Sequence, residues 1–394
     1  MRTADITAAE LRLRRDALRK ADACSGTPFW DYAMPALPVL LTSLHREARL
    51  SPDGLRVAEN SIASALATQL RVSRLLREKP EIARVDLGGP VFITGLFRTG
   101  STLLHRLLAR HPGLRVPLLW ELLSPGDPRD RPARITTARA YVEEYYRAAP
   151  AFRAIHPLSA TEPEECHRLT GASLHADIYA LRYRVPHYGR WLARQDLTGA
   201  YRAHRDQLRC LLWRRPSPRT GPVVLKCPSH LWHLPTLAKV YPDARIVRLH
   251  RDPVRCLTSL CNLTAVVRGA RSTKVSPAEI GDYWSERVTT ALDGVGPVES
   301  LHGLPVLDVS YADLVTDPVG TAGRVGEFAG AAFTPAAATG MRAYLAADPA
   351  RPGPREYHPG VFGLDVPALD RRFAAYREAF GLHRTPSPTK GPST

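Results

Sequence analysis

The chain has 394 residues, 44% of them apolar, so it is long enough to bury a substantial hydrophobic core. Lys and Arg total 54 against 38 Asp and Glu, and the formal net charge of +16 favours an anionic partner such as nucleic acid, an acidic membrane surface or a phosphate-rich small molecule. The six cysteines form no C-x-x-C pair, and the longest apolar stretch falls short of the roughly 18 residues that span a bilayer. These features exclude a disulfide-stapled scaffold and predict a cytoplasmic protein without a membrane span or a structural zinc site.

The N-terminal part, residues 1–85, predicts a helical preamble. Residues 8–23 are rich in Leu, Arg and Ala, and residues 55–76 repeat apolar side chains with a period near 3.6. The first predicted strand, residues 91–94, lies between glycines, and a helical pattern follows from 101 to 110. This succession of strand, glycine-bounded loop and helix is the local context of a phosphate-binding loop.

Residues 120–215 predict a helical insertion that covers the sheet. Helices are expected at 136–148, 161–182 and 199–214, separated by turns that contain proline. No convincing strand pattern interrupts them, so the insertion adds helices rather than strands to the fold.

The rest of the chain alternates strands and helices. Further strands are predicted at 223–226, 244–250 and 305–309, and further helices at 231–241, from Pro253 with Asp252 as its cap, and at 318–329, 335–346 and 367–380. This alternation predicts an α/β fold, a P-loop-like parallel β-sheet flanked by helices, in a single domain over residues 1–383. Residues 384–394 lack apolar content and predict a disordered tail.

The loop after the first strand reads Gly95-Leu-Phe-Arg-Thr-Gly-Ser-Thr102 and has the glycine spacing of a nucleotide triphosphate-binding loop. Ser101 occupies the position of the usual lysine, and Arg98 places a cation inside the loop instead. Backbone N–H groups at the start of the helix still suit a phosphate, whereas hydrolysis of ATP or GTP loses its customary cation. A different phosphate donor is therefore favoured over a kinase-like phosphotransferase and over an ordinary turn.

Two motifs carry a family resemblance. Arg98-Thr-Gly-Ser-Thr-Leu-Leu-His105 resembles the 5′-phosphosulfate loop of sulfotransferases that use 3′-phosphoadenosine 5′-phosphosulfate (PAPS), in the form of the bacterial branch. Val247-Arg-Leu-His-Arg-Asp-Pro253, followed by Ser259, resembles the 3′-phosphate motif of the same family. The similarity covers about residues 85–382 and implies transfer of a sulfuryl group from PAPS to a hydroxyl group.

The resemblance implies a set of PAPS ligands. The 5′-phosphosulfate would be held by Arg98, Thr99, Gly100, Ser101 and Thr102, and the 3′-phosphate by Arg251 and Ser259. The family also closes over the donor with a late K-H-G-x-H-x-Y segment, which reads Arg351-Pro-Gly-Pro-Arg-Glu-Tyr357 here. Both histidines of that pattern are replaced, which leaves Arg351 and Arg355 as the expected phosphate ligands.

By the same similarity, catalysis needs a further cation and a base. Lys226, at the end of its strand, is expected to stabilise charge on the bridging oxygen together with Arg98. Glu121 stands where tyrosylprotein-type enzymes have a glutamate base, and His230 follows Lys226 closely, although Pro228 occupies the spacing of the cytosolic enzymes. Glu121 and His230 therefore both remain candidates for the base, and each residue could instead cap a helix.

His105 and Glu165 are weaker candidates that would support the site from a helix. No metal is expected, because Arg and Lys can neutralise the leaving nucleoside bisphosphate and no His and carboxylate cluster has ligand spacing.

The expected partner is a small-molecule or lipid-like natural-product acceptor with a hydroxyl group, bound by the 120–215 insertion. Tyrosines there, such as Tyr145, either line that pocket or pack in the core. A nucleic-acid-binding protein is disfavoured, because the arginines are spread from Arg2 to Arg384 without an RNA-binding signature. A fold that has lost its activity is a further alternative, and no heptad pattern indicates an oligomeric state.

Overall fold

A computed structural model describes residues 3–21, 28–214, 221–347 and 358–382. The predicted phosphate ligands Arg351 and Arg355 and the predicted tail, residues 384–394, lie outside the described residues. The structure therefore describes the predicted elements and every predicted site residue except Arg351 and Arg355.

Three long helices confirm the N-terminal preamble: α1 (Thr3–Ala21), α2 (Ala36–Arg46) and α3 (Pro52–Glu78). The hydroxyl of Ser51 caps α3 by accepting a hydrogen bond from the Gly54 N–H. The helix α2 falls within the segment predicted to be mostly helical, but no bounds were predicted for it, and its segment contains Pro35 and Pro38. Pro35 stands just before the helix and Pro38 in its first turn, where proline is tolerated.

The central sheet contains β1 (Val91–Gly95), β2 (Val224–Lys226), β3 (Arg245–His250), β4 (Ser300–Leu301) and β5 (Leu304–Ser310). The strand order is β2-β1-β3-β5-β4, and all neighbours are parallel except β4, which pairs antiparallel with β5. The four predicted strands are confirmed within one or two residues. The two-residue β4 was too short to give a sequence pattern.

Helices surround this sheet along the rest of the described chain. The first group is α4 (Ser101–Leu108), α5 (Leu119–Leu122), α6 (Arg131–Ala148), α7 (Phe152–Ile155), α8 (His167–Gly171), α9 (Ile178–Arg182), α10 (Pro186–Leu192) and α11 (Thr198–Arg214). The second group is α12 (Leu234–Val240), α13 (Pro253–Gly269), α14 (Pro277–Leu292), α15 (Tyr311–Thr316), α16 (Pro318–Phe328), α17 (Pro335–Ala347), α18 (Val366–Arg372) and α19 (Ala374–Ala379). Among the described residues, no helix is both long enough and apolar enough to cross a bilayer.

Two predicted helices are wrong as single elements. The helix expected at 161–182 is an irregular segment followed by α8 and α9, because Pro163 disfavours helical backbone before it and Leu174 adopts a left-handed φ of 60°. The helix expected at 367–380 is divided at Phe373 into α18 and α19. The helix α14 was not predicted.

The two faces of the sheet bury different sets of helices, because successive strand side chains point to opposite faces. Val91 and Ile93 pack in a core with residues of α4, α16 and α17. Phe92 packs on the other side, in a core that includes the apolar faces of α1 to α3 and of α11. The α/β prediction, with an N-terminal helical segment and a helical insertion, is confirmed.

The parallel strands all end at one edge of the sheet. Ile93 of β1 is in register with Lys226 of β2, Gly95 with Leu249 of β3, and His250 with Ser310 of β5. The residues that follow these strand ends therefore meet, as in open α/β sheets that bind ligands at this edge.

Candidate active site

The loop between β1 and α4 turns around two glycines. Gly95 has a φ of 132°, and a Cβ atom at this position would lie 2.4 Å from the carbonyl oxygen of Leu249. Gly100 has a φ of 87° and immediately precedes α4. Both positions require glycine, and together they bring the N-terminus of α4, with its free N–H groups, to the edge of the sheet.

Arg98, Arg251 and Ser259 meet beside this loop. The Nε of Arg98 donates to the Ser259 hydroxyl at 3.1 Å, and its Nη1 donates to the carbonyl oxygen of Ile155 at 2.9 Å. The Nη1 of Arg251 donates to the Arg98 carbonyl oxygen at 2.7 Å, and its guanidinium lies 4.0 Å from the centroid of the Tyr311 ring. The structure thus joins the predicted ligands of both phosphates in one cluster.

The other loop residues differ in what their side chains do. The Thr99 hydroxyl donates to the Leu96 carbonyl oxygen at 2.9 Å inside the loop. Gly100, Ser101 and Thr102 line the cavity in front of the loop. Thr99 therefore offers a ligand its backbone N–H, whereas Ser101 and Thr102 also offer hydroxyl groups.

Lys226 lies at the base of the loop and is only 1% exposed. Its Nζ donates to Oε1 of Glu165 at 2.6 Å and to the Thr102 hydroxyl at 3.3 Å. The backbone N–H of Cys166 donates to the Lys226 carbonyl oxygen at 3.0 Å, which fixes the segment before α8 against the end of β2. Burial favours the neutral carboxyl, yet the Lys226 charge and a His167 hydrogen bond hold the pKa of Glu165 well below its usual range.

His167 continues this network into the cavity. Its Nδ1 lies 3.1 Å from Oε2 of Glu165, and its Nε2 has no hydrogen-bond partner among the described residues. Burial lowers the pKa of His167 to about 4 against the opposing effect of Glu165. At neutral pH the imidazole is therefore uncharged, and the Glu165 carboxylate accepts the Nδ1 hydrogen, so Nε2 carries a lone pair.

A second carboxylate and histidine pair lies alongside. The Nε2 of His156 lies 3.2 Å from Oε1 of Glu164. Burial raises the pKa of the Glu164 carboxyl, but the charge and hydrogen bond of His156, together with the charges of Arg168 and Lys226, hold this pKa well below its ordinary value. Both adjacent glutamates are thus ionised.

A cavity of about 290 Å³ lies in front of the loop. Its wall includes Gly100 to Thr102 of the loop, Arg98, Arg251, both pairs of glutamate and histidine, and Tyr311. Lys226 and Ser259 lie behind this wall and contact it through Glu165, Thr102 and Arg98. Phe152, Leu158 and Leu181 are among the apolar residues that complete the wall. The cavity thus combines cations, a hydrogen-bonded neutral histidine and apolar surface, which suits positioning of an anionic donor beside a second substrate.

Glu121 lies elsewhere, in the first turn of α5. Its Oε2 accepts a hydrogen bond from the Leu118 N–H at 2.8 Å, and the residue is 5% exposed. It does not line the cavity of the loop. This is the capping role that the sequence left as an alternative, and a role as base stays a prediction.

His230 is also used internally. Its Nδ1 lies 2.7 Å from the Tyr201 hydroxyl and its Nε2 lies 3.1 Å from the Cys166 sulfur. Burial holds the pKa of His230 well below its ordinary value, and the residue does not line the cavity. His105, in α4, likewise does not line the cavity, and burial lowers its pKa to about 3.

Comparison with known proteins identifies the family of this fold and cavity. A sequence profile of the sulfotransferase family matches residues 90–335. The chain belongs to the sulfotransferase family. The crystal structure of the sulfotransferase STF1 from Mycobacterium tuberculosis H37Rv is 30% identical, with a TM-score of 0.75 over 92% of this chain and 98% of that one.

The fold also matches the crystal structure of the sulfotransferase STF9 from Mycobacterium avium. The TM-score is 0.81 at 23% identity, and the match covers 94% of this chain and 96% of that one. No curated protein matches the chain.

The sequence analysis missed most of the cavity wall of this sulfotransferase. It named Glu165 as a weak candidate but did not single out Glu164, His167 or His156. The run of two glutamates, Cys166 and His167 directly after Pro163 was a usable signal, because it groups ionisable side chains just before and at the start of α8. Because a single helix was predicted over 161–182, this run was not considered as part of a site.

Tertiary structure also assembles groups of potential metal ligands that local spacing did not show. Ligand atoms lie within 4.8 Å of one another in the groups Cys166, His204 and His230; Glu165, His167 and Cys227; and His156, Glu164 and Glu165. The predicted metal independence of the sulfotransferase stays a prediction.

Proposed function

We propose that this sulfotransferase transfers the sulfuryl group of PAPS to a hydroxyl group of a small-molecule acceptor. The observation that carries the proposal is the convergence of the glycine-bounded loop, the Arg98, Arg251 and Ser259 cluster and the buried Lys226 at one edge of the sheet. A donor with two separate phosphate groups needs cations at two places, and this edge supplies them.

The loop N–H groups and the hydroxyls of Ser101 and Thr102 would hold the 5′-phosphosulfate, as the motif resemblance implies. Arg98, within the loop, would also bind the 5′-phosphosulfate. Arg251 and Ser259 would bind the 3′-phosphate, and both contact Arg98. Arg351 and Arg355 lie outside the described residues, and their part in closing the site stays a prediction.

In the transfer step, the acceptor oxygen attacks sulfur in line while the bond from sulfur to the bridging oxygen breaks. The acceptor gains the sulfuryl group and loses its proton to a base, and 3′-phosphoadenosine 5′-phosphate (PAP) leaves with the bonding electrons. Lys226 is the cation at the base of the loop and would stabilise the negative charge that grows on the bridging oxygen.

We propose His167 as the base. Its neutral imidazole lines the cavity, and its buried Nε2 has no hydrogen-bond partner among the described residues. Glu165 is placed to stabilise the imidazolium that forms, as a carboxylate does for histidine in catalytic triads. Glu121 and His230 are bound to other groups of the fold and lie outside the cavity wall.

Calorimetric titration with PAP tests the donor. We expect binding that needs no magnesium, exceeds that of ATP, and weakens at least tenfold in Arg251→Ala, because a charge-assisted phosphate contact contributes about 1.5–3 kcal/mol. The exposed Arg342 provides the control Arg342→Ala, which should bind like the unaltered protein. A preference for ATP with magnesium would replace the proposal with a phosphotransferase.

Kinetics with the best acceptor from a screen of hydroxyaryl and hydroxyalkyl compounds test the base. His167→Gln should lower kcat by about 10²- to 10⁴-fold and leave PAP affinity within about twofold. Glu121→Gln, which keeps an oxygen to accept the Leu118 N–H, should keep most of the activity. The reverse pattern would restore Glu121 as the base.

A further inference from the structure

A second cavity, of about 550 Å³, lies between α3 and the helical insertion. It shares Tyr145, His167, Arg168 and Arg182 with the wall of the smaller cavity. The two cavities therefore adjoin at the proposed base. The larger one has the volume of a site for a drug-sized molecule.

The wall of the larger cavity carries a cluster of arginines, Arg168, Arg182 and Arg271, among tyrosines. The Nη1 of Arg168 donates to the Tyr141 hydroxyl at 3.2 Å, and the Arg271 guanidinium lies 5.0 Å from the centroid of the Tyr145 ring. Two carboxylates lie near these arginines: Glu144 lines the same cavity, and the charge of Arg168 helps to lower the pKa of Glu164, which is hydrogen-bonded to His156. Among the described residues, neither carboxylate forms an ion pair with Arg168, Arg182 or Arg271, so the three guanidinium groups outnumber the nearby carboxylates.

Two other buried arginines of the chain are paired with carboxylates. Arg248 pairs with Asp308 at 2.8 Å, and Arg377 pairs with Asp252 at 2.6 Å. Arg271 is 5% exposed; its Nη1 donates to the Val267 carbonyl oxygen at 2.7 Å, and its Nε has no hydrogen-bond partner in the described part of the chain. Leaving a buried cation without an anion is costly, so this arrangement is typical of a site that a ligand completes.

The electrostatic effect of the cluster is visible at Tyr141. Burial raises the pKa of a phenol, yet Arg168 and Arg182 lower the pKa of Tyr141 below its ordinary value. The same field that favours a phenolate favours any oxyanion placed beside these guanidinium groups. The neighbouring tyrosine rings supply apolar surface for the body that carries it.

We propose that the larger cavity binds an acceptor that carries an oxyanion next to an aromatic or apolar body, with the oxyanion held by Arg168, Arg182 and Arg271. Arg168 follows His167 directly in the chain and lines both cavities. An acceptor anchored at the arginines would extend its hydroxyl group past His167 toward the donor loop. The assignment of this ligand as acceptor rests on the proposed function, whereas the anion site itself does not.

Two fluorescent probes test the site without turnover: anilinonaphthalene sulfonate and N-phenylnaphthylamine, which share a ring system and differ in the sulfonate. With the donor site saturated by PAP, the sulfonate should bind at least about tenfold more tightly, as expected for a charge-assisted contact. Arg182→Gln should remove most of that difference and leave the affinity of the neutral probe within about twofold. The exposed Arg202 gives the matched control Arg202→Gln, which should change neither affinity.

Equal affinities of the two probes, or a sulfonate preference that survives in Arg182→Gln and in Arg168→Gln, would overturn the inference. Measurement of turnover gives a second test: kcat/KM should be higher for a hydroxynaphthoic acid as acceptor than for the corresponding neutral amide. PAP binding is measured separately, so loss of the donor proposal and loss of the anion site give different results. Equal kcat/KM for the acid and the amide would overturn this inference but leave the proposed sulfuryl transfer unaffected.

Discussion

Lys226 is nearly fully buried, so its charge depends on Glu165 for compensation. The Glu165 contact holds the ammonium group beside Thr102. An anionic bridging oxygen that develops during the reaction would compete with Glu165 for the same proton donors. Glu165 therefore connects Lys226 and the loop residue Thr102 to His167, the proposed base.

We expect Lys226→Met to lower kcat by about 10²- to 10³-fold, because the variant loses the cation next to the bridging oxygen. It also leaves Glu165 buried without its partner, which should lower the free energy of unfolding by about 3–5 kcal/mol. The double variant Lys226→Met with Glu165→Gln should recover stability but not kcat. Lys239→Met, at an exposed lysine, is the control, and a fully active Lys226→Met variant would exclude the role.

The pH dependence of kcat/KM reports the protonation of the catalytic base in the free enzyme. Activity requires neutral His167, so it should stay constant as pH falls from neutral and decline only near the His167 pKa of about 4. An imidazole with an ordinary pKa would give the decline near 6.5. Circular dichroism at each pH separates this titration from unfolding, and an acid limb near 6.5 in the folded protein would contradict the assignment.

At the scale of elements, Asp252, the residue that precedes α13, makes two interactions. Asp252 accepts a hydrogen bond from the Arg255 N–H at 2.9 Å, which caps α13, and it pairs with Arg377 of α19 at 2.6 Å. Because α13 carries Ser259, the position of this first turn helps to set the geometry of the proposed 3′-phosphate site.

Asp252→Asn should keep the cap and weaken the ion pair, whereas Asp252→Ala should lose both. We expect the alanine variant to unfold at lower urea concentration than the asparagine variant, with a further loss of about 1 kcal/mol that corresponds to the cap. PAP affinity should fall in the same order. Equal stability of the two variants would show that the cap contributes nothing measurable.

At the scale of the whole molecule, the N-terminal helices belong to the same core as the sheet. Leu13 of α1 and Leu37 and Leu40 of α2 are almost completely buried in the cluster that includes Phe92 of β1. The helix α3 in turn provides one wall of the larger cavity. The preamble is therefore part of the proposed acceptor side.

A chain that begins at residue 51 should lose this packing and unfold less cooperatively. Each buried leucine contributes about 1.5–3 kcal/mol, so the urea midpoint should fall markedly. Removal of residues 384–394, which the sequence predicts to be disordered, is the control and should leave the midpoint unchanged. An unchanged midpoint for the first deletion would mean that α1 and α2 are dispensable for stability.

The sequence by itself determined the alternation of strands and helices, because apolar periodicity and glycine and proline positions act locally. It also located the loop with Arg98 and the strand end at Lys226, since each lies in a short motif with fixed spacing. The assignment of Arg251 and Ser259 to one phosphate came from the family resemblance and stays a prediction. The helix at 161–182 failed because a proline and a left-handed residue interrupt a pattern that otherwise looks helical.

Only the tertiary structure decided which carboxylates and histidines face the cavity. Glu121 and Glu165 look alike in sequence, but one caps α5 and the other binds Lys226, which lies 61 residues away in the chain. The arginine cluster is equally non-local, because Arg168 precedes β2 in the chain and Arg271 follows β3. Burial and long-range ion pairing set the charge and proton affinity of these groups, and neither can be read from local spacing.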